Sequence, residues 1–343
     1  MIETGGNIRV LSTVGLNESQ MSTVRQVSSQ VVFDQVAAPS EAFRSFLCDA
    51  EILLSHFQHT DFDLALAPKL RWVQLTSASV EKVLEQPIIE TDVVITNCSG
   101  IHAVPIAEYV LASILAFSRK LPELLRRQQR RHWSSLPEIY EQLMGIELRG
   151  QTLGVLGYGS IGREVARLAQ SFGMRVLACK KDPDRRIDAG WCAPGVGDPK
   201  GTIPEEFYGS DQLHELVSAC DYLVLACPLT VETTGIINAA TLKAMRPNAY
   251  LVNVGRGKLL DEAALVVALK EGWIAGAGLD VTTIEPLPPE SELFDLPNVI
   301  LTPHCSGTTA MYDERATELF CDNLRRYLAG KRLLNAISQE SGY

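Results

Sequence analysis

The stretch GVLGYGSIG, Gly154 to Gly162, decides the fold class of this chain. It holds the pattern G-x-G-x-x-G between an apolar run that predicts a strand and REVARLAQSFG, which predicts a helix ending at Gly173. In that context the first glycine permits a tight turn, the second lets the backbone approach a diphosphate, and the third lets the helix pack on the strand. The residues expected to bind a dinucleotide here are Gly157, Gly159, Ser160, Ile161 and Gly162.

Short apolar runs alternate with helical patterns on both sides of this turn, which indicates parallel α/β sheets. The first third predicts five strands, and the chain from Gln151 onward predicts six. The first set is Ile8–Ser12, Val31–Phe33, Ile52–Ser55, Trp72–Leu75 and Val93–Thr96. The second set is Leu153–Leu156, Arg175–Cys179, Tyr222–Ala226, Ala249–Val254, Ala275–Val281 and Val299–Leu301. The fold class is therefore α/β, with two doubly wound parallel sheets.

Three further segments stand outside this alternation of strands and helices. A helix is predicted from Ala103 to about Arg119, and the basic run LLRRQQRRHW, Leu124 to Trp133, follows it as a solvated or subunit-contacting face. The interval from Pro183 to Gly209 is rich in proline and glycine, and its length predicts an inserted surface loop. An amphipathic helix is predicted from Thr308 to Leu328.

Composition limits the partners of the chain. Its 343 residues suit roughly two domains of about 150 residues each. A net charge of -10, from 41 acidic against 31 basic residues, argues against nucleic acid or an acidic membrane as a partner. The start of the sequence lacks the pattern of a signal peptide, and the eight cysteines are scattered without a CxxC pair. We expect reduced thiols and a cytoplasmic protein. The histidines at 102, 132 and 214 have no ligand-spaced partners, so no metal site is expected.

Lys180 stands where an acidic residue would accept hydrogen bonds from the adenosine ribose of NAD(H), about 20 residues past the glycines. An ammonium group cannot accept such bonds, but it can pair with a 2′-phosphate. Lys181, Arg185 and Arg186 are close enough in sequence to join it, which favours NADP(H). Two alternatives stay open: these bases form a solvated strand end, or Asp182 takes the acceptor role and NAD(H) binds.

Three side chains with catalytic chemistry follow successive predicted strands. Arg256 lies in NVGRGKLL, Glu285 in GLDVTTIEPLP and His304 in NVILTPHCSG. A guanidinium can hold the carboxylate and carbonyl oxygens of a 2-oxo acid, and an imidazole can exchange a proton with the hydroxyl oxygen while hydride moves at C2. A neighbouring carboxylate stabilises the imidazolium form. Because ligands of open α/β sheets bind at the carboxyl ends of the strands, the three can share one crevice.

With these motifs the chain resembles the D-isomer-specific 2-hydroxyacid dehydrogenases, which include glyoxylate/hydroxypyruvate reductases. The resemblance runs from about Leu70 to Leu328 and is carried by LRGQTLGVLGYGSIG, CPLTVETTGIIN, NVGRGKLLDEAAL, GAGLDVTTIEPLP and PNVILTPHCSG. It implies a Rossmann dinucleotide-binding domain, 102–304, inserted into a smaller flavodoxin-like substrate domain, 1–101 and 305–343. It further implies a homodimer formed through an arm at about 103–150.

The resemblance also implies roles for single residues. Arg256 would bind the substrate, His304 would be the acid/base and Glu285 would orient it. Asp280 would hold the nicotinamide amide. The expected cofactor-lining positions are Cys227, Pro228 and Val254, and the expected carboxylate-binding loop is Ser77, Ala78 and Ser79.

The implied function is NADP(H)-preferring reduction of small 2-oxo acids, of the glyoxylate or hydroxypyruvate type, to D-2-hydroxy acids. Two alternatives remain. One is an NAD(H)-dependent version of the same dehydrogenase. The other is a dinucleotide-sensing, corepressor-like binding protein, since corepressors of this fold retain the catalytic trio.

Overall fold

The computed structural model describes residues 7–56, 64–79 and 83–337, and it divides the chain into two compact units. The first unit combines Met1–Ile101, Ala189–Ala193 and Thr309–Tyr343, and the second combines His102–Asp188 and Pro194–Thr308. Thus Ala189–Ala193, which the prediction assigns to the dinucleotide-binding domain, lies in the first unit, and residues 305–308, which it assigns to the substrate domain, lie in the second.

The first unit holds a five-stranded parallel sheet in the order β2-β1-β3-β4-β5, the flavodoxin-like order. Its strands are β1 Ile8–Ser12, β2 Val31–Gln35, β3 Ile52–Ser55, β4 Trp72–Leu75 and β5 Val94–Thr96. Its helices are α1 Glu18–Arg25, α2 Glu41–Leu47 and α10 Tyr312–Leu328.

The final helix supplies part of the core of the first unit. Phe320 of α10 stacks on the fully buried Trp72 of β4, with ring centroids 5.3 Å apart. The helix begins at Tyr312, whereas the sequence predicts a start at Thr308. Directly before the helix, the N–H of Met311 donates to Thr309 Oγ1 at 3.2 Å and the N–H of Tyr312 donates to the Thr309 carbonyl oxygen at 3.3 Å, so this segment forms a turn.

The second unit holds a seven-stranded parallel sheet in the order β12-β11-β10-β9-β6-β7-β8. Its strands are β6 Thr152–Leu156, β7 Arg175–Cys179, β8 Glu206–Tyr208, β9 Tyr222–Leu225, β10 Tyr250–Asn253, β11 Gly276–Leu279 and β12 Val299–Leu301. Its helices are α3 Ala103–Ser118, α4 Leu121–Gln129, α5 Leu136–Gln142, α6 Ser160–Ser171, α7 Leu213–Ala219, α8 Ala239–Ala244 and α9 Glu262–Glu271. The strand order reverses between β6 and β9, as in the Rossmann fold.

Central strands of this sheet are buried along their whole length, and almost wholly apolar, because helices cover both faces. β9, β10 and β11 are buried at every position, and separate apolar clusters fill the two faces. The two parallel sheets with their flanking helices confirm the predicted α/β fold class.

The inserted segment is not all loop, which corrects the prediction. Residues Glu206–Tyr208 form β8, which pairs with β7 at the edge of the sheet. Three residues are too few for a periodic signal among prolines and glycines, so tertiary pairing decides this strand. Within the first unit, Trp191 is 5% exposed and its indole N–H donates to Asp322 Oδ2 at 3.0 Å.

Candidate active site

The glycine turn joins β6 to α6, and two of its three glycines leave no room for a side chain. Gly157 has φ +101°, and a Cβ there would lie 2.4 Å from the backbone nitrogen of Cys227. A Cβ on Gly162 would lie 2.3 Å from the carbonyl oxygen of Gly157. At Gly159 the ideal Cβ position has no described atom within 4 Å. The turn is therefore tightly packed at Gly157 and Gly162 and open at Gly159, the residue before α6. The first N–H groups of α6 have no partner within the helix, so this opening fits a diphosphate.

Lys180 follows the last residue of β7, at the carboxyl edge of the sheet. Its Nζ donates to the carbonyl oxygen of Arg185. Burial, followed by the charge of Arg163, lowers the pKa of Lys180. Asp182 uses Oδ1 to accept the N–H groups of Asp184 at 3.2 Å and Arg185 at 3.3 Å. This carboxylate thus closes the local turn.

Arg256 lies in the turn that follows β10. The buried Asn253 at the end of this strand shapes the turn, because its Oδ1 accepts the N–H of Gly255 at 3.1 Å and its Nδ2 donates to the Arg256 carbonyl oxygen at 3.0 Å. A Cβ on Gly257 would lie 2.0 Å from the carbonyl group of Thr282. Glycine at this position therefore lets the Arg256 turn touch the loop that carries Glu285.

The structure brings His304 and Glu285 into direct contact. Nδ1 of His304 lies 2.7 Å from Oε2 of Glu285, and the other oxygen, Oε1, accepts the N–H of Thr282 at 3.1 Å. With Nδ1 engaged by the carboxylate, Nε2 is the nitrogen left to exchange a proton with a ligand. The carboxylate is itself held by backbone, so it can orient the imidazole.

His304 has a left-handed backbone, with φ +52°. Its N–H donates to the carbonyl oxygen of Asp280 at 2.8 Å. The Asp280 carboxylate, 1% exposed, also accepts the N–H groups of Cys305 at 2.9 Å and Ser306 at 3.0 Å. Asp280 thereby fixes an uncommon conformation that aims the imidazole side chain.

A hydrogen-bond network that no sequence motif indicates also holds the Asp280 carboxylate. Thr302 Oγ1 donates to Asp280 Oδ1 at 2.6 Å, and the hydroxyl of Tyr109, on α3, lies 2.7 Å from Thr302 Oγ1. Burial raises the pKa of Tyr109 to about 12, so it stays protonated. Sequence reasoning missed Tyr109 and Thr302 because a tyrosine in an apolar helix carries no local signal for a partner far along the chain.

The other expected cofactor-lining residues follow neighbouring strands. Cys227 and Pro228 come after β9, and Val254 comes directly after β10. Burial raises the pKa of Cys227 to about 12, so this side chain is a neutral thiol. The residues Asp280 and His304 follow β11 and β12, the next strands in the same sheet. The carboxyl edge from β9 to β12 thus carries the polar groups of the site.

The loop Ser77–Ser79 follows β4 in the first unit, and the rest of the candidate site lies in the second. Ser77 Oγ donates to the carbonyl oxygen of Ser79 at 3.1 Å, and Asn97 Nδ2 donates to that of Ala78 at 3.1 Å. The carbonyl groups of this loop are therefore held within its own unit.

Other kinds of site find little support in the part of the chain that the structure describes. There, no group of three or more His, Cys, Asp or Glu side chains could hold a metal ion. Within the same residues, helices fall short of the length and apolar character needed to cross a membrane. Part of the basic segment is neutralised by nearby acids, since Arg126 and Arg127 bind Glu123 and His132 binds Glu138.

Comparison with known proteins identifies the family. The family model for the D-isomer specific 2-hydroxyacid dehydrogenase, NAD binding domain, matches residues 111–306. The chain is 32% identical over 337 residues to a glyoxylate reductase of Korarchaeum cryptofilum, a match that covers 97% of this chain and 96% of the relative.

Two solved structures are similar along almost the whole chain. A D-isomer specific 2-hydroxyacid dehydrogenase family protein of Aeromonas salmonicida has a TM-score of 0.75 at 30% identity, covering 97% of this chain and 100% of its own. A D-isomer specific 2-hydroxyacid dehydrogenase of Xanthobacter autotrophicus, solved with NADPH, has a TM-score of 0.77 at 26% identity, covering 99% and 100%. The chain thus belongs to the D-isomer-specific 2-hydroxyacid dehydrogenase family and is an NAD(P)-dependent oxidoreductase.

Proposed function

We propose that this enzyme reduces small 2-oxo acids, of the glyoxylate or hydroxypyruvate type, to D-2-hydroxy acids and prefers NADP(H) to NAD(H). The observation that carries the proposal is the 2.7 Å contact between His304 Nδ1 and Glu285 Oε2 at the carboxyl edge of a dinucleotide-binding sheet. The glyoxylate reductase relative, which matches nearly the full chain, supports the substrate class.

Each residue of the trio has one task. Arg256 binds the carboxylate and carbonyl oxygens of the substrate through its fork of N–H donors. His304 donates a proton from Nε2 to the carbonyl oxygen as it becomes a hydroxyl group. Glu285 orients the ring through Nδ1 and stabilises its positive charge. When bound, a reduced nicotinamide dinucleotide supplies the hydride that C2 accepts.

The remaining predicted contacts extend the same proposal. We assign the diphosphate to the glycine turn and α6, and a lining role to Cys227, Pro228 and Val254. Asp280 holds the nicotinamide amide while it anchors the loop of His304. The N–H groups of Ser77, Ala78 and Ser79 bind the substrate carboxylate, because backbone N–H groups are strong hydrogen-bond donors.

The preference for NADP(H) rests on the bases after β7. Lys180 offers an ammonium where NAD(H) needs an acceptor, and Lys181 and Arg185 add positive charge nearby. The alternative acceptor, Asp182, already uses its Oδ1 in the turn at Asp184 and Arg185. The Xanthobacter relative was solved with NADPH, which is consistent with this choice.

A panel of 2-oxo acids tested with NADPH and NADH examines the whole proposal. We expect turnover of glyoxylate and hydroxypyruvate, with higher kcat/KM for NADPH. Chiral analysis of the glycerate formed from hydroxypyruvate tests the D configuration, because glycolate is achiral. Higher kcat/KM with NADH would favour the NAD(H) alternative. Very slow turnover of every small 2-oxo acid, with tight dinucleotide binding, would favour a sensing protein.

The variant Lys180→Asp tests the cofactor preference directly. Loss of one charge-assisted hydrogen bond and addition of a repulsive carboxylate should lower the NADPH/NADH ratio of kcat/KM about 100-fold. Lys331→Asp, at an exposed lysine of the first unit, makes the same change of net charge and should leave the ratio unaltered. An unchanged ratio in Lys180→Asp would remove the argument for NADP(H).

We further propose a homodimer formed through α4, α5 and their flanking residues. This arm exposes large apolar side chains, including Trp133 at 96%, Leu136 at 69%, Tyr140 at 68% and Met144 at 64%. Exposed apolar groups on this scale mark association surfaces. Light scattering should give twice the 37.6 kDa mass of the chain, and the monomer mass at micromolar concentration would refute the dimer. The cytoplasmic location expected from the thiols stays a prediction.

A further inference from the structure

We propose that Arg163 on α6 and Asp198 in the inserted segment are positioning residues that shape the 2′-phosphate site of the cofactor. The proposal rests on the preference for NADP(H) proposed above. It gives a task to the segment from Pro183 to Gly209, of which the proposed function otherwise uses only Arg185.

Arg163 is a charged residue buried by the insertion. Its side chain is 3% exposed, although it comes directly after the last glycine of the phosphate turn. Nη1 donates to the Asp198 carbonyl oxygen, Nη2 donates to the Arg186 carbonyl oxygen at 2.7 Å, and Nε lies 3.4 Å from Asp188 Oδ2. Burying a guanidinium is costly unless its donors are engaged. Here the two Nη donors bind the start and the middle of the insertion, at Arg186 and Asp198, so Arg163 ties these two parts together. Nε has no hydrogen-bond partner among the described residues and is balanced by the charge of Asp188.

Asp198 binds the second half of the insertion to the phosphate turn. Its Oδ2 accepts the Tyr158 hydroxyl at 2.8 Å and the N–H of Ile203 at 2.9 Å, while Oδ1 accepts the N–H of Thr202 at 3.0 Å. Tyr158 stands between the first two glycines of the turn. Asp198 therefore connects the folded insertion to the turn proposed to bind the diphosphate.

The next residue of α6 reinforces this arrangement. Glu164 is 1% exposed, and its Oε2 accepts the N–H of Gly197 at 2.6 Å. Two consecutive charged residues of one helix thus hold the insertion through buried bonds. A helix face that only packed on the sheet would be apolar.

These bonds fix the backbone next to Lys180. Arg163 holds the carbonyl oxygen of Arg186, and Lys180 donates to that of Arg185, so two adjacent carbonyl groups are anchored. The Arg186 guanidinium lies over the ring of Phe207 on β8, 5.0 Å from its centroid. A phosphate at this end of β7 would meet bases whose backbone is already ordered, which lowers the entropic cost of binding.

Paired ligands that differ only in the 2′-phosphate separate this role from general stabilisation. Isothermal titration calorimetry with 2′,5′-ADP and 5′-AMP measures the phosphate contribution without turnover. In Arg163→Met we expect the Kd of 2′,5′-ADP to rise about tenfold or more, and the Kd of 5′-AMP to change less than about threefold. Arg163→Lys keeps the charge but not the fork of donors and should recover part of the affinity.

The control variant is Arg175→Met. Arg175 is at the amino end of the same strand, β7, and pairs on the surface with Glu205 at 2.8 Å. Both dissociation constants should stay unchanged there. If Arg163→Met does not fold, Asp198→Asn provides the second test, because it keeps the backbone carbonyl that Arg163 binds. We expect it to raise the Kd of 2′,5′-ADP selectively, by about three- to tenfold.

Two results overturn the inference. One is an equal loss of affinity for both ligands in these variants, which marks a merely structural role. The other is an unchanged Kd of 2′,5′-ADP in folded Arg163→Met. A wild-type enzyme that binds 2′,5′-ADP no more tightly than 5′-AMP refutes the NADP(H) preference itself, and that outcome is seen before any variant is made.

Discussion

The substitution Gly257→Ala tests whether close approach of two loops assembles the candidate active site. Gly257 is buried in the turn after β10, directly after Arg256. An added Cβ would lie 2.0 Å from the carbonyl carbon and oxygen of Thr282, in the loop that holds Glu285 through a 3.1 Å hydrogen bond. Both contacting atoms are backbone, so no flexible side chain can move aside.

The size of the effect follows from this distance. Ordinary contact begins at 3.4 Å, so the two loops must separate by about 1.4 Å, given the 2.0 Å approach. Misplacing reacting groups by about 1 Å can cost about 100-fold in rate, and we expect kcat/KM for glyoxylate to fall by that factor. Overpacking of about 1–3 kcal/mol should lower the melting temperature by roughly 2–10 °C.

Steady-state kinetics, differential scanning calorimetry and cofactor titration together check the prediction. The Kd of the dinucleotide should rise by a smaller factor than kcat/KM falls, because the altered loops adjoin Val254 and Asp280 but leave the glycine turn intact. Gly15→Ala is the matched control, since its ideal Cβ has no described atom within 4 Å and its φ is not positive. Wild-type kcat/KM and melting temperature in Gly257→Ala would refute the argument that this approach positions Arg256 against the Glu285 loop.

Two further predictions concern charges in the site. Glu285→Gln keeps the shape of the side chain but removes the charge 2.7 Å from His304, so kcat/KM should fall about 10- to 100-fold. Glu290→Gln, at an exposed acid of the same loop, should leave kcat/KM unchanged. Equal kcat/KM in the two variants would contradict a catalytic role for the Glu285–His304 pair. Burial lowers the pKa of Lys180 below its ordinary 10.5, so as the pH rises the ammonium group loses its proton at a lower pH than a solvated lysine would. A 2′-phosphate, already dianionic above about pH 6, favours the protonated lysine. The Kd of 2′,5′-ADP should therefore rise between pH 7.5 and about 10 while that of 5′-AMP stays level, and parallel curves would count against Lys180.

The sequence by itself determined the glycine turn and the buried parallel strands, because each depends on residues that are close together in the chain. The glycine turn is readable because backbone geometry at Gly157 and Gly162 excludes any side chain, and such constraints act within a few residues. Parallel strands such as β9 and β10 are readable because burial on both faces leaves a continuous apolar run. Boundaries moved by one or two residues for most strands, and the last helix begins only at Tyr312, after a turn closed by Thr309.

Tertiary structure decided what depends on partners far apart in the chain. No local pattern pairs Tyr109 with Thr302, joins Arg163 to Asp198, or adds β8 to the edge of the sheet. These polar groups are visible in the sequence, but they stabilise the structure as hydrogen-bond partners only when packing excludes water and brings them within about 3 Å of each other. The physical reason is that a motif depends on the backbone conformation of neighbouring residues. A buried polar network instead forms because leaving its distant members without hydrogen-bond partners would be costly.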